Sequence, residues 1–167
     1  MSSRSVGPIL KTILFVIFVP GTVLLWVPYR LMGRDVPLPV GWENWLALAP
    51  LGLGAAILAK CAWDFAVVGL GTPAPIDPPK SLVVNGLYRF VRNPMYVGVD
   101  LVLFSEAALF RSLRLLEYAL VVGASFFLFV LAYEEPTLRR KFGASYQAYC
   151  AAVPRWIPRI TPWSGKN

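Results

Sequence analysis

The sequence has no histidine and only two cysteines, and both scarcities restrict its chemistry. Without histidine there can be no Ser-His or Cys-His nucleophile pair, no zinc site with a histidine ligand and no His-ligated haem. Cys61 and Cys150 are far apart and show no C-x-x-C spacing, so the sequence predicts buried free thiols. Any reaction must therefore use carboxylates, arginines, tyrosines, backbone groups or a cofactor.

Charged residues are also scarce, at 15% of the 167 residues, whereas hydrophobic residues make up 57%. A soluble domain is about a quarter charged, and the mean hydropathy of +0.60 indicates lipid as the surrounding medium. The net charge is +7, but the basic residues cluster at the ends of apolar segments. Basic residues in such positions typically set the membrane topology and bind anionic lipids. Because this accounts for the positive charge, we expect no nucleic-acid partner.

Four apolar segments approach the length of about 20 residues that a helix needs to cross a bilayer. They cover about 8–29, 45–70, 94–110 and 115–133. The sequence therefore predicts an all-α integral membrane bundle in one domain, 1–167, with spans three and four forming a helical hairpin. A cleaved signal peptide is the alternative for the first segment, but no small-x-small cleavage site follows it. A new helix that begins at Pro136 is predicted to lie at the membrane interface.

The basic residues also predict the orientation of this bundle, because cytoplasmic loops carry the excess of lysine and arginine. Four spans place both termini and the middle loop on one side. That side has eleven basic residues and the other has four: Arg4, Lys11, Lys80, Arg89, Arg92, Arg139, Arg140, Lys141, Arg155, Arg159 and Lys166 against Arg30, Arg34, Arg111 and Arg114. We therefore expect a multi-pass protein of the bacterial inner membrane with cytoplasmic termini. Within the second span, Lys60 and Asp64 are predicted to neutralise each other.

The stretch YRFVRNPMYVG, residues 88–98, combines features of a ligand site with those of a membrane edge. Asn93 precedes a proline and is therefore extended, and Pro94 starts a helix whose free N–H groups favour an anionic group. Gly98 leaves room for a ligand or for a second helix to approach the backbone. The flanking side chains could instead bind lipid phosphate or form an aromatic belt: Arg89 and Arg92, Tyr88 and Tyr96.

A pair of acids, Glu134 and Glu135, forms the second candidate half of a site, on the same predicted side of the membrane. Acids near a helix start offset its dipole, and Glu135 can also pair with Arg139, four residues later. Glu134 has no such partner in the local sequence, so it is expected to bind a cation. Both acids are candidate catalytic residues.

From Lys80 to Pro158 the chain resembles the isoprenylcysteine carboxyl methyltransferase family, with a looser similarity to phospholipid N-methyltransferases. Two motifs in the right order carry the resemblance, G-L-Y-R-F-V-R-N-P-M-Y-V-G and E-E-P-T-L-R-R-K-F-G-A-S-Y-Q-A-Y-C-A-A-V-P. It implies a methyltransferase that uses S-adenosylmethionine, bound at the cytoplasmic helix ends, and no metal. The motif positions imply that the cofactor contacts Lys80, Ser81, Leu82, Val83, Tyr88, Asn93, Pro94, Met95, Tyr96 and Glu134. Gly98 is a further candidate contact because of its place in the helix.

Two positions depart from that family's pattern. Asn93 stands where the family often has histidine, and Val130 stands where the carboxyl methyltransferases have an arginine that holds the substrate carboxylate. The implied acceptor is therefore an amine, a thiol or another lipophilic nucleophile as readily as a prenylcysteine carboxylate. Arg92 and Asp100 are candidate substrate contacts. A phospholipid N-methyltransferase, an NAD(P)H-dependent membrane reductase and a non-enzymatic protein that binds membrane lipids remain as alternatives.

Overall fold

The computed structural model describes residues 18–33, 41–67, 82 and 84–165, and helices dominate these ranges. Helix α1 is a π-helical turn, Thr22–Trp26, that continues as Val27–Met32. The later helices are α2 (Trp42–Trp45), α3 (Leu48–Val67), α4 (Pro94–Leu109), α5 (Leu113–Phe129) and α6 (Glu135–Ala152), with a 3₁₀ turn at Gly86–Arg89. No strand occurs in these ranges, so the all-α prediction is confirmed for them. The predicted contacts Lys80, Ser81 and Val83 lie outside the described residues.

Helices α4 and α5 form the predicted hairpin, and local sequence explains both of its helix starts. Asn93 is non-helical, with φ −122° and ψ 56°, and Pro94 takes the first helical position. After α4, Arg111 adopts a φ of +46°, and the Ser112 hydroxyl accepts a hydrogen bond from the Leu115 N–H at 3.4 Å. This serine is an N-cap, so α5 begins at Leu113, two residues before the predicted start.

Helices α3 and α4 approach closely because a glycine from each lies in the interface. A Cβ atom added to Gly54 would stand 2.7 Å from the Gly98 carbonyl oxygen, and one added to Gly98 would stand 3.0 Å from Ile57 Cγ2. Small residues at such crossings let helix backbones pack directly. On α3, Lys60 forms the predicted ion pair with Asp64.

A π-helical turn, Val130–Glu134, joins α5 to α6 without a break. The prediction that Pro136 starts a separate helix is therefore wrong. Proline has no N–H to donate to the preceding turn, and a π turn is one way in which a helix accommodates such a gap. The continuous helical stretch Leu113–Ala152 is the one stretch in the described ranges that is long and apolar enough to cross a membrane. The count of four spans therefore stays a prediction.

Helix α6 is interrupted at Gly143, which has φ +53° and ψ −125°. One face of the helix is nevertheless buried and includes Glu135, Tyr146 and Tyr149. Tyr146 and Tyr149 form a small core with Val153 that Leu82 and Trp163 cover. The break therefore lies just before the part of α6 that packs on this core.

We expect Gly143→Ala to lower the free energy of unfolding by about 1–3 kcal/mol, because an L-residue is strained at this φ and ψ. No atom lies within 4 Å of the added Cβ, so the loss would come from the backbone alone. Chemical unfolding in detergent measures it, with Ser145→Ala, an exposed neighbour on the same helix, as the control. An unchanged or increased stability in Gly143→Ala would show that α6 is not broken here.

Candidate functional site

Glu134 ends the π-helical turn with its side chain directed at the first turn of α4. Its Oε2 atom accepts a hydrogen bond from the Tyr96 hydroxyl at 2.9 Å. The Tyr96 ring is held in turn by Phe126, with 4.6 Å between the ring centroids. No basic side chain in the described ranges lies within ion-pair distance of Glu134. The site thus contains a carboxylate with a hydroxyl neighbour and without a charged partner from this part of the chain.

Tyr88 brings a second hydroxyl to the same place from the 3₁₀ turn. Its backbone carbonyl accepts a hydrogen bond from the Tyr149 hydroxyl at 2.7 Å, which fixes the turn against α6. Burial raises the pKa of Tyr88 well above its usual value, and the nearby Cys61 thiol and Glu134 carboxylate raise it further. Tyr88 therefore stays neutral at physiological pH and keeps its proton.

Glu135 has a different role from Glu134, because two arginines already occupy its carboxylate. Arg155 donates from Nε to Oε1 at 2.6 Å and from Nη2 to Oε2 at 3.0 Å, and Arg92 donates from Nη1 to Oε1 at 3.0 Å. The hydrogen bonds and charge of Glu135 raise the pKa of Arg155. Despite burial, the hydrogen bonds from Arg155 and the charges of Arg92, Arg155 and Arg139 lower the pKa of Glu135. Arg139 thus contributes its charge as predicted, but the arginines that hydrogen-bond the carboxylate are distant in sequence.

Two candidate functional residues take part in these contacts. Glu135 was a candidate catalytic residue and Arg92 a candidate substrate contact. Both are 90% or more buried in their mutual ion pair, at 7% and 10% side-chain exposure. Arg92 also donates from Nη1 to the Cys150 sulfur at 2.8 Å. Both side chains are thus engaged within the protein, and their catalytic and substrate-contact roles stay predictions.

The remaining sequence candidates divide between the site and the packing around it. Asn93 is buried, and its Nδ2 donates to the Arg155 carbonyl at 3.2 Å. Pro94 is fully buried, Met95 is half-buried, and Gly98 packs on α3 as described above. Gly98 is thus a helix-packing residue, and its contact with a cofactor stays a prediction.

Asp100 lies one turn beyond Tyr96 and faces α5. A Cβ atom on Gly123 would stand 3.4 Å from its Oδ1. This oxygen is buried and has no hydrogen-bond partner in the described ranges. Asp100 is therefore placed between the two helices of the hairpin, and its contact with a substrate stays a prediction. The two cysteines are free, and Cys61 is buried as predicted, whereas Cys150 is half-buried.

The C-terminal segment 153–163 is the part of the site that sequence reasoning missed. It runs beside residues 89–92, and three backbone hydrogen bonds of 2.9–3.0 Å join the two: Arg92 N–H to Pro154, Arg159 N–H to Phe90 and Trp163 N–H to Arg89. The Arg89 Nε returns a bond to the Trp163 carbonyl at 2.7 Å. The motif P-R-W-I-P-R was the available signal, because its prolines end α6 and leave backbone groups to pair elsewhere.

An apolar groove of about 240 Å³ lies on the other side of Pro94. It is partly open, and no polar surface lines it. Its walls come from α3, the 3₁₀ turn, the start of α4 and the C-terminal segment, and they include Ile57, Leu87, Phe90, Val91, Val97 and Pro158. The start of α4 thus separates an apolar groove from the polar group around Glu134.

Part of the chain is similar to known proteins. The model of the phospholipid methyltransferase family matches residues 42–145, more than half of the chain. Over 74 residues the chain is 34% identical to methanethiol S-methyltransferase 2 of Bradyrhizobium diazoefficiens. The aligned region covers 44% of this chain and 27% of the relative. Over 80 residues it is 38% identical to protein-S-isoprenylcysteine O-methyltransferase of Schizosaccharomyces pombe, covering 47% of this chain and 34% of the relative.

The matches thus span about a third or less of the length of these curated relatives. No solved structure matches the chain. The family match nevertheless includes α2, α3, the hairpin and Glu134, and both relatives are named as methyltransferases. The predicted resemblance to membrane methyltransferases is confirmed, and the chain belongs to the phospholipid methyltransferase family.

Proposed function

We propose that this protein is a membrane methyltransferase that uses S-adenosylmethionine to methylate a lipophilic acceptor. The single observation that carries the proposal is the Glu134 carboxylate, which has the Tyr96 hydroxyl beside it and no basic partner in the described ranges. A carboxylate in such a position favours a ligand cation. In a chain that belongs to a methyltransferase family, the ammonium group of the methyl donor is the cation expected there.

The residues around Glu134 fit the rest of the amino-acid part of that donor. The first turn of α4 presents backbone N–H groups without helical acceptors, and a helix start favours a carboxylate. Met95 and Tyr96 carry these N–H groups, because Pro94 has none. Bound S-adenosylmethionine would supply an electrophilic methyl group on its sulfonium. The protein would need only to position the two reactants and exclude water, and this work requires no histidine.

The acceptor is proposed to lie with its apolar part in the groove beyond Pro94, where all the lining is apolar. Val130 is completely buried in the π-helical turn, so this position offers no cation to a carboxylate acceptor. These two features favour an amine, a thiol or another uncharged nucleophile on a lipophilic molecule. N-methylation of a phospholipid amine is one reaction of this kind. The cytoplasmic position of the site follows from the basic residues and stays a prediction.

We expect Glu134→Gln to weaken binding of S-adenosylhomocysteine about 10- to 100-fold, because it removes the charge that would hold the ammonium group. Isothermal titration of the purified protein measures this change. Binding of 5′-methylthioadenosine, which lacks the amino-acid part, should stay the same in the variant. Glu117→Gln is the matched control, since Glu117 is an exposed acid near the start of α5.

A wild-type protein that binds no S-adenosylhomocysteine at millimolar concentration would contradict the proposal. So would binding of NADPH in its place, which would favour the membrane reductase. If the protein only binds lipids, Glu134→Gln would leave its function intact, while charge reversal at 139–141 would abolish it. Radiolabelled cofactor added to membranes with and without the protein would then show whether lipid, protein or a small volatile product receives the methyl group.

A further inference from the structure

Three pairs of consecutive residues from distant parts of the chain meet beside the proposed cofactor site. They are Arg92–Asn93 before α4, Glu134–Glu135 at the junction of α5 and α6, and Pro154–Arg155 after α6. In the first two pairs, one residue is a proposed cofactor contact and the other belongs to the ion-pair cluster. The third pair contacts both of the others and has no proposed cofactor contact of its own.

Arg155 is the residue that connects these pairs. Its guanidinium binds both oxygens of Glu135, at 2.6 and 3.0 Å, and its backbone carbonyl accepts from Asn93 Nδ2 at 3.2 Å. Arg92 adds a second connection, because its side chain donates to Glu135 and its N–H donates to the Pro154 carbonyl at 2.9 Å. One residue of the C-terminal segment thus touches the neighbour of Glu134 and the side chain of Asn93.

The burial of this cluster makes its geometry rigid. The side chains of Arg92 and Glu135 are 10% and 7% exposed, and that of Arg155 is 29% exposed. Charges this far from water are stable only when all their partners are in place, and a two-pronged arginine–carboxylate contact permits little rotation. Glu134 is the last residue of a π-helical turn, which is a less regular support than an α-helix. Fixing Glu135 therefore also fixes the direction of the adjacent Glu134.

We propose that Arg155 is a positioning residue for the cofactor site. It acts through Glu135 on Glu134 and through its own carbonyl on Asn93, and it does not touch the ligand. This inference rests on the proposed function, because it concerns the same binding site. It assigns a role to a residue that lies beyond the part of the chain matched by the family model, residues 42–145.

The test compares Arg155→Ala and Arg155→Lys with wild type by titration of S-adenosylhomocysteine and of 5′-methylthioadenosine. We expect Arg155→Ala to weaken binding of S-adenosylhomocysteine about tenfold, and 5′-methylthioadenosine to bind with unchanged affinity. Arg155→Lys should lie between the alanine variant and wild type, since lysine keeps the charge but not the two parallel bonds. Arg140→Ala, which removes an exposed arginine from α6, is the control for net charge.

Hydrogen exchange shows whether Arg155→Ala acts by misplacing Glu134 and Asn93 or by releasing the C-terminal segment from residues 89–92. The N–H groups of Arg159 and Trp163 are bonded to Phe90 and Arg89, and these bonds do not involve the Arg155 side chain. Their protection should persist in Arg155→Ala while affinity for S-adenosylhomocysteine falls. Equal losses for both ligands, or loss of protection at these amides, would overturn the inference in favour of a purely structural role.

The remaining outcomes distinguish this inference from the proposed function. If wild type binds S-adenosylhomocysteine and Arg155→Ala binds it equally well, the inference is wrong and the proposed function stands. If wild type does not bind S-adenosylhomocysteine, the proposed function fails and the inference fails with it.

Discussion

Glu135→Gln is expected to destabilise the protein by about 3–5 kcal/mol, the usual effect of removing one partner from a buried ion pair. Glutamine has nearly the same shape as glutamate, so packing is not the cause. The loss arises because the buried guanidinium group of Arg92 and the partly exposed one of Arg155 would lie beside a neutral amide. Arg92 suffers most, since its side chain is 10% exposed and its Nε already has no hydrogen-bond partner in the described ranges.

Chemical unfolding in detergent measures this effect, and Glu117→Gln again provides the matched control because its side chain is exposed. The control should change the free energy of unfolding by less than about 0.5 kcal/mol. A Glu135→Gln variant as stable as wild type would mean that the two arginines find other acceptors. The cluster would then contribute no rigidity to the site, and the case for Arg155 would weaken with it.

Gly54→Leu is expected to destabilise the protein by about 3 kcal/mol or more, at the upper end of the effects of overpacking. The first added atom alone would lie 2.7 Å from the Gly98 carbonyl oxygen and 2.9 Å from Val102 Cγ2. A carbonyl oxygen within a helix cannot rotate away as a long side chain can. Helices α3 and α4 would have to separate, and the separation would also open the apolar groove between Ile57 and Val97.

Gly52→Leu is a closely matched control, because Gly52 lies two residues away on the same helix and no atom stands within 4 Å of its added Cβ. The same leucine there should leave stability unchanged or raise it slightly, since glycine is a poor helix former. Thermal unfolding of both variants in one detergent gives the comparison. Equal stabilities would show that α3 and α4 do not pack as closely as described.

The sequence was most informative where a single residue type controls local geometry. Pro94 marked the start of α4, and the gap between the third and fourth apolar segments marked the turn of the hairpin, where Ser112 caps α5. Glu134 was identified as a candidate cation-binding residue because no basic residue lies at helical spacing from it. Each of these features depends on neighbours within about one helical turn, and such neighbours can be read directly from the sequence.

The sequence was least informative where partners are far apart along the chain. Helical spacing favoured Arg139 for Glu135, but Arg92 and Arg155 are the partners, 43 and 20 residues away. Likewise, the continuity of α5 and α6 depends on a π-helical turn that forms in the context of the fold. Gly98 permitted both a ligand and a neighbouring helix, and the packing on α3 could be seen only in the fold.

The π-helical turn at Val130–Glu134 has a consequence for how this family can change during evolution. Such a turn is equivalent to one residue inserted into a regular helix. If the same residues rewound as a regular α-helix, everything after the turn would rotate by about 100° around the helix axis. Glu134 would then point toward a different neighbour, and α6 would leave its core. Deleting one residue from the turn would instead restore regular winding and leave α6 in place, so a one-residue deletion should be tolerated better here than elsewhere in α5 or α6.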